Sequence, residues 1–210
     1  MARLSRAEQQ ERTRQELVVA AERIFLEKGF HATSVEEVAE EAGYSKGAVY
    51  ANFEGKDGLF LSVLERRFDE QALALGTEID PDLPVTDQAQ AAGEGFWRVF
   101  LGEPDWALLL MEFAAHAARD PQLREPFARR SRHIQVEMAR LIDEHLGHLG
   151  LRSPVPSDKL ASILFALGDG VIRAKLIDPD GVADDVFTAA LGLLFEGIVA
   201  ANMKTATSAT

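Results

Sequence analysis

Residues 33–60 read TSVEEVAEEAGYSKGAVYANFEGKDGLF, and this stretch decides the predicted fold. Ser34 and Glu37 have the spacing of a capping box, which satisfies free backbone N–H groups at the start of a helix. Gly43 suits a helix end, because glycine enters the left-handed conformation without steric cost. Ser45 can cap a second short helix. The stretch therefore predicts two short helices joined by a glycine-containing turn, with a third helix after them.

The apolar residues of this stretch repeat with helical spacing. They are Val35, Val38, Ala39 and Ala42 on the first short helix, and Val49 and Phe53 on the second. Two helices joined in this way form a helix-turn-helix, whose second helix can lie in the major groove of DNA. Gly47 and Ala48 are small enough to let that helix approach the duplex. Lys46 carries a charge for phosphate or guanine, and Tyr50 has a hydroxyl that can reach the backbone.

The stretch from about Arg14 to Leu64 resembles the N-terminal domain of TetR-family transcriptional regulators. The family pattern has the shape T-S-V-x-x-[IV]-A-x-x-A-G-[VYF]-S-K-G-x-[LV]-Y-x-x-F-x-x-K-x-x-L, and this chain matches almost all of it. A chance match to so many spaced positions is improbable, which argues against the alternative of an ordinary helical hairpin with solvated lysines. For the rest of the chain the resemblance implies only a shared helical layout.

The resemblance also implies which residues contact DNA. The expected contacts are Thr33 and Ser34 at the first short helix, then Ser45, Lys46, Gly47, Ala48, Tyr50 and Asn52 along the recognition helix, and Lys56 at the start of the next helix. Asn52 stands where the family most often has histidine, and its amide can also donate a hydrogen bond to phosphate.

Composition is compatible with a DNA partner in the N-terminal part. The 210-residue chain has a net charge of −12, but residues 1–67 are nearly balanced, with 10 basic and 12 acidic side chains. Arg3, Arg6, Arg12 and Arg14 form either a basic arm along phosphates or a minor groove, or a solubilising tail. The chain has no cysteine, which excludes disulfides and thiolate metal sites.

Neither a secretory signal nor a membrane span is expected. The N-terminus has no apolar core of the kind that signal peptides carry. The longest apolar runs, around Ala107 to Met111 and Ala189 to Phe195, are too short to cross a bilayer. The sequence therefore predicts a cytoplasmic protein without a membrane partner.

Glycine and proline punctuation predicts an all-α protein of nine helices. Besides the two helices of the helix-turn-helix, the predicted helices cover about 7–28, 57–75, 86–101, 105–119, 122–147, 157–177 and 182–202. The family resemblance implies two domains. These are a DNA-binding domain at 1–56 and a larger ligand-binding and dimerisation domain at 57–210.

The middle helices concentrate bulky side chains that suit either a core or a ligand cavity. The resemblance favours a cavity, with candidate lining residues Phe68, Phe96, Trp97, Phe100, Trp106, Met111, Glu112, Phe113, His116 and Phe165. Glu112 and His116 lie four residues apart on one helix. They are either buried polar groups of that cavity or a solvated pair.

The last two helices carry more apolar residues than one helix stripe needs inside a monomer. The candidate interface residues are Leu160, Leu164, Leu167, Val171, Leu191, Leu194, Phe195 and Ile198. A homodimer with a four-helix interface is what the resemblance implies, and a two-fold dimer also suits the reading of two half-sites about 34 Å apart. The alternative is that both helices complete a monomeric core.

Enzyme chemistry has little support in the sequence. The chain lacks a phosphate-binding glycine loop and a nucleophile elbow, and nothing completes a metal site around His145 and His148. No metal and no cofactor are predicted. An all-helical enzyme and a protein-binding adaptor remain as alternatives. We predict a homodimeric repressor that binds a palindromic double-stranded DNA operator and is released by a small-molecule effector. The same module could act as an activator or without a ligand.

Overall fold

The computed structural model describes residues 5–77, 91, 94–95 and 103–208, and these residues form eight α-helices with no strand among them. The helices are α1 (Arg6–Ala32), α2 (Val35–Glu41), α3 (Lys46–Asn52), α4 (Gly55–Thr77), α5 (Pro104–Arg119), α6 (Pro121–His148), α7 (Ser157–Ile177) and α8 (Val186–Ser208). The prediction of an all-α fold is confirmed. The remaining predicted helix, at 86–101, falls mostly outside the described residues.

The chain divides into two compact units. Unit 1 holds the described residues of Met1–Asp69 and Leu108–Arg129, and unit 2 holds those of Glu70–Ala107 and Arg130–Thr210. The predicted functional boundary between residues 56 and 57 does not coincide with this division. It stays a prediction about function, because compactness alone does not say which unit binds what.

Helix α1 has a break at Gly29, just after the predicted helix end at residue 28. The helix continues to Ala32, but Gly29 has φ 80° and ψ 166°, a conformation that side-chain-bearing residues rarely adopt. The apolar residues Leu17, Ala20, Ala21, Ile24 and Phe25 form the buried face of α1. The break turns the last residues of α1 away from the helix axis just before α2 begins.

Aromatic rings form the centre of unit 1. Phe25, Phe30, Phe60 and Phe113 are almost completely buried. Phe60 stacks on Phe113 with ring centroids 4.2 Å apart, and Phe30 meets Phe113 edge-on at 5.0 Å. Such pairs add to the stabilisation that burial alone provides. Phe113 of α5 therefore belongs to the same core as α1 and α4.

A buried carboxylate joins α1 to α4. Glu22 is buried, and its two carboxylate oxygens pair with Arg66 and Arg67. A buried charge is tolerated only when it is paired, and removing one partner of such a pair is strongly destabilising. The pair therefore fixes how α4 aligns along α1.

Unit 2 has a core made by α6, α7 and α8. One cluster contains Met138, Ala161, Val171 and Phe187. A second contains Leu146, Leu160 and Ile198, with Phe195 packed beside it. The last two helices thus bury part of their apolar surface inside the chain.

Candidate nucleic-acid interface

The entry into α2 is a complete capping box, as predicted. The Ser34 hydroxyl oxygen accepts the Glu37 N–H at 3.2 Å, and the Glu37 carboxylate accepts the Ser34 N–H at 2.8 Å. The Lys28 ammonium donates to the other Glu37 oxygen at 2.7 Å. The hydrogen bond from Lys28, followed by those from Ser34, lowers the pKa of Glu37 to about 2. Helix α2 therefore begins at a fixed point next to α1.

The Glu37 carboxyl should titrate near pH 2. Because its pKa lies below the ordinary 4.5, its stabilising contribution is present above pH 4.5 and is lost as the pH falls through about 2. A carboxyl-carbon NMR titration measures this directly. In Lys28→Met, which removes the largest cause, the Glu37 pKa should move up toward 4.5. An unchanged Glu37 titration in that variant would contradict the assignment.

The turn between α2 and α3 depends on Gly43. This residue has φ +73°, while the space around it is open, so the backbone conformation alone calls for glycine. The Tyr44 N–H donates to the Ala39 carbonyl oxygen at 2.8 Å and closes the end of α2. The Ser45 hydroxyl then accepts the Ala48 N–H at 3.3 Å and starts α3. Both predicted caps are confirmed, and α2 and α3 contact each other.

Helix α3 has one buried face and one open face. Val49 is fully buried and Phe53 nearly so, which confirms them as packing residues. The open face carries Ser45, Lys46, Gly47 and Tyr50, with Ala48 half-buried between them. Tyr50 is 55% exposed, an unusual degree for an aromatic side chain. A helix of this shape can approach the major groove with its N-terminal residues leading.

The single lysine on this open face already has a partner. The Lys46 ammonium forms an ion pair with the Glu36 carboxylate of α2, which raises the pKa of Lys46 and lowers that of Glu36. The ammonium also lies 5.8 Å from the centroid of the Tyr50 ring. A phosphate that uses Lys46 must displace Glu36. The sequence analysis missed Glu36, because only the packing of α3 against α2 brings residues ten apart together.

Removing this competitor should strengthen DNA binding. Glu36→Gln frees Lys46 and deletes one negative charge beside the proposed interface, so DNA affinity should rise several-fold, since exposed ion pairs are worth up to about 1 kcal/mol. Glu41→Gln is the matched control, because it makes the same change on α2 but affects a pair with Arg23. Fluorescence anisotropy measures the DNA affinity of both variants. An equal rise in both would assign the effect to net charge.

Three of the predicted DNA-contact residues already form side-chain hydrogen bonds within the chain. Thr33 is 3% exposed, and its hydroxyl donates to the Gly29 carbonyl oxygen at 2.8 Å. The Ser34 hydroxyl serves the capping box. The Asn52 amide donates to the Ala48 carbonyl oxygen at 2.8 Å, so only part of it can serve a phosphate. We therefore leave the Thr33 side chain out of the proposed interface.

Lys56 is also turned into the chain. Its ammonium donates to three backbone carbonyl oxygens at the end of α1, and none of its N–H groups is left over for phosphate. The structure does not support the predicted contact between Lys56 and DNA.

The predicted basic arm is only partly available. Arg12 lies 3.4 Å from the Glu16 carboxylate in an exposed pair. The Arg14 guanidinium donates to the Asn52 carbonyl oxygen at 3.3 Å and to the Ser62 hydroxyl at 3.0 Å. It also lies 4.8 Å from the centroid of the Phe53 ring. Arg14 therefore holds the end of α3 against α1 and α4. Arg3 lies outside the described residues.

The candidate ligand residues divide into three groups. Phe96, Trp97 and Phe100 lie outside the described residues. Glu112, Phe113 and His116 are engaged inside unit 1, where Phe113 fills the aromatic core and His116 lies 3.1 Å from Asp57. Phe113 therefore lies in the core of unit 1, whereas Glu112 and His116 are half-buried beside it and bind groups of α1 and α4, which corrects the assignment of these three residues to a cavity.

The remaining ligand candidates keep their assignment as a prediction. Phe68 and Trp106 are buried, Met111 is 36% exposed, and Phe165 packs beside the first cluster of unit 2. A surface cleft of unit 2 lies elsewhere, between Asp143 and Ser157, and none of the predicted residues lines it. Among the described residues, no group of three or more histidine and acidic side chains could hold a metal ion.

The candidate dimer residues are mostly turned inward. Leu160, Val171 and Ile198 are buried in the core of unit 2, so the prediction that they form an interface is wrong. Leu164, Leu167, Leu191 and Phe195 pack partly buried on the same clusters, and Leu194 is half-buried. The exposed apolar side chains of α7 and α8 are different ones. They are Ile163, Ile177, Val186, Leu193 and Met203.

Helix α8 is more apolar and more exposed than the sequence analysis allowed. Its segment Val186–Lys204 is long and apolar enough to cross a membrane by length and composition, and only 11% of that segment is buried. The expectation that every apolar stretch falls short of a span is therefore wrong. A single helix of this kind is weak evidence for a membrane, and it equally fits a face covered by another protein surface.

The capped helix pair with an open second helix defines a helix-turn-helix regulator. Residues 17–63 match the family described as "Bacterial regulatory proteins, tetR family", and residues 84–201 match "Tetracyclin repressor-like, C-terminal domain". The chain belongs to the TetR family of DNA-binding transcriptional regulators. These proteins are regulators and not enzymes.

Relatives named as transcriptional regulators match all or part of this chain. The HTH-type transcriptional repressor Rv1474c of Mycobacterium tuberculosis is 26% identical over 81% of this chain and 87% of its own length. The HTH-type transcriptional activator FasR of Mycolicibacterium smegmatis is 33% identical, but over only 40% of this chain and 38% of its own length. FadR of Bacillus subtilis, solved in complex with stearoyl-CoA, is similar in fold, with a TM-score of 0.66 and 14% identity over 88% of this chain and 97% of that one.

Proposed function

We propose that this protein is a homodimeric repressor that binds a palindromic DNA operator through α3 and is released by a small molecule bound in its C-terminal domain. The open face of α3 carries the proposal. It presents Ser45, Lys46, Gly47, Ala48 and Tyr50 beside a groove formed by residues 50–55. Phosphate contacts position such a helix, and contacts to base edges in the major groove then specify sequence.

A second subunit is proposed to cover the exposed face of α8. Val186, Leu193 and Gly197 follow one another at spacings of seven and four, and all three are exposed. An apolar helix stripe that the described residues leave exposed favours association, and a two-fold dimer presents two recognition helices to two half-sites. The proposed interface thus uses the exposed side of α8. The residues that the sequence predicts for the interface pack instead in the core of unit 2, or partly buried beside it.

A small-molecule effector is proposed to control DNA binding through a two-state equilibrium. Without ligand, the two recognition helices keep the spacing of adjacent major grooves. Ligand bound among the middle helices shifts α4 and spoils that spacing. FadR, which has a similar fold, was solved in complex with stearoyl-CoA, and this supports a small-molecule ligand for a protein of this fold. Coupling of about 1 to 3 kcal/mol would change DNA affinity several-fold to a hundred-fold.

Activation of transcription is the second candidate outcome. The relative FasR is named an activator and shares 33% identity with 84 residues of this chain. Either outcome uses the same DNA-binding surface and a cytoplasmic protein. A reporter gene behind the bound promoter separates them, because deletion of the regulator raises expression under repression and lowers it under activation.

The test of the proposal is fluorescence anisotropy with DNA from upstream of the protein's own gene, a scrambled duplex as control, and a salt series. Affinity for the native duplex should fall linearly with log salt. Compounds that bind the protein are then added to the complex. Equal, weak binding to both duplexes would move the search to a genomic DNA pool, and failure there too would reject the proposal.

Tyr50→Ala should weaken operator binding by about tenfold, the loss expected when a side chain contributing about 1.4 kcal/mol is removed. Because Tyr50 is 55% exposed, the folded state should be unaffected. Tyr50→Phe separates the phenol hydroxyl from the ring. If the phenylalanine variant binds like wild type, the ring and not the hydroxyl makes the contact. Wild-type affinity in Tyr50→Ala would exclude Tyr50 from the interface.

A further inference from the structure

The joint between α1 and α2, residues Gly29–Thr33, is held by charged side chains from two other helices. Lys56 reaches it from α4, and Glu112 reaches it from α5. Both residues lie in unit 1, as does the joint. The family resemblance implies a DNA contact for Lys56 and a place in a ligand cavity for Glu112. In the structure they meet the same five residues.

Lys56 binds the carbonyl side of the joint. Its ammonium lies 2.9 Å from the Phe30 oxygen, 3.0 Å from the Thr33 oxygen and 3.3 Å from the His31 oxygen. A lysine ammonium has three N–H donors, and these three acceptors use all of them. The charge also lies 4.6 Å from the centroid of the Phe30 ring, within the range of a cation–π interaction.

Glu112 binds the N–H side of the joint. One carboxylate oxygen accepts the Phe30 N–H at 2.9 Å. The carboxylate also lies against Gly29, where an added Cβ would come within 3.0 Å of it. Gly29 breaks the helix with φ +80°, and Phe30 is the residue that follows the break. The carboxylate thus satisfies a backbone donor at the point where helix geometry is interrupted.

We propose that Lys56 and Glu112 form a clamp on the joint that sets the position of α2, and through it the recognition helix α3, for DNA binding. Both are positioning residues, and Lys56 acts without touching phosphate. This proposal rests on the proposed DNA binding by α3. Helix α2 starts at Val35, two residues beyond the clamped carbonyl of Thr33, and α3 packs on α2. A displaced joint therefore displaces the recognition helix.

The clamp also explains a restriction on Gly29. Any side chain there meets both the strained φ and the Glu112 carboxylate, so the glycine and the glutamate fit each other. Nearby, Asp57 next to Lys56 lies 3.1 Å from His116, one helical turn from Glu112. The two helices that carry the clamp are thus linked a second time.

The test compares Lys56→Met with Lys46→Met in the full-length protein, using anisotropy on the operator across a salt series. Lys46→Met should reduce the slope of log affinity against log salt by about 0.9, as the loss of one phosphate contact requires. Lys56→Met should weaken binding by about tenfold or more, because charge-assisted hydrogen bonds are lost, while its slope stays that of wild type. A reduced slope in Lys56→Met would overturn the proposal.

Glu112→Ala provides a second test that does not depend on the folding of the lysine variant. The Phe30 amide should exchange its hydrogen faster than in wild type, and operator binding should weaken at an unchanged salt slope. Leu108→Ala, at an exposed position of α5 one helical turn from Glu112, is the matched control and should bind like wild type. Glu112→Gln keeps an acceptor oxygen and should restore part of the binding. Wild-type binding by Glu112→Ala would overturn the clamp, whereas absence of binding by the wild-type protein would instead reject the proposed function.

Discussion

Leu193→Glu should convert the protein from dimer to monomer and nearly abolish operator binding. Leu193 is 71% exposed on α8, so a charge there costs nothing in a folded monomer. In the proposed interface the same charge would be buried without a partner, at about 3 to 5 kcal/mol, which corresponds to more than a hundredfold in dimer dissociation. A monomer reads one half-site and loses the second set of contacts.

Sedimentation equilibrium and anisotropy on the same samples measure this effect. Val136→Glu is the matched control, because Val136 is 62% exposed on α6 and also accepts a charge without loss of burial. The control should remain dimeric and bind DNA like wild type. A dimeric Leu193→Glu variant would place the interface elsewhere, and an equal loss in both variants would assign the effect to surface charge.

Phe60→Ala should destabilise unit 1 by about 3 to 5 kcal/mol, the usual range for removing a buried aromatic side chain. Phe60 is fully buried and packs against neighbouring rings, with centroids 4.2 Å from Phe113, 5.2 Å from Phe25 and 5.3 Å from Phe30. The cavity left behind would remove contacts from α1, α4 and α5 together. Because marginal stability is typically about 5 to 15 kcal/mol, the variant should unfold at much lower urea concentration.

Urea unfolding followed by circular dichroism tests this prediction. Tyr50→Ala serves as the control, since it removes a similar ring from the surface and should change the free energy of unfolding by less than about 0.5 kcal/mol. A small effect in Phe60→Ala would mean that the aromatic cluster contributes little to stability. The comparison also separates loss of fold from loss of DNA contact.

The helix-turn-helix could be read from local signals. The capping box at Ser34, the left-handed Gly43 and the cap at Ser45 each act on backbone groups within four residues. Such interactions depend on the order of residues and not on distant partners. The buried positions Val49 and Phe53 follow from helical spacing in the same way. The helix pair and its open face were therefore available from the sequence.

Which side chains on the open face of α3 already have partners could be known only from the packing of the helices. Glu36 meets Lys46 only because α3 crosses α2, and Arg14 reaches Asn52 only because α1 passes the end of α3. The side chain of Thr33 faces inward for the same reason. Motif positions indicate residue types that suit DNA, but they do not show whether another part of the chain already holds those side chains.

In the last two helices, too, the sequence shows the residue types and the packing decides their environment. Their apolar excess was visible in the sequence, but it did not say which positions face inward. Leu160, Val171 and Ile198 lie in the core, whereas Leu193 is exposed. Helical periodicity shows which residues share a face of the helix. Packing against neighbouring helices decides which of the apolar residues are buried.

The sequence by itself determined the helical class, the helix-turn-helix with its turn at Gly43, and the family, because caps, glycines and motif spacing act over a few residues. Only the tertiary structure decided that Lys56 and Glu112 meet at the joint between α1 and α2, since they lie far apart in the sequence. The physical reason is range. Helix caps and glycine turns depend on residues that are close together in the sequence. The partners of charged side chains depend on how the helices pack.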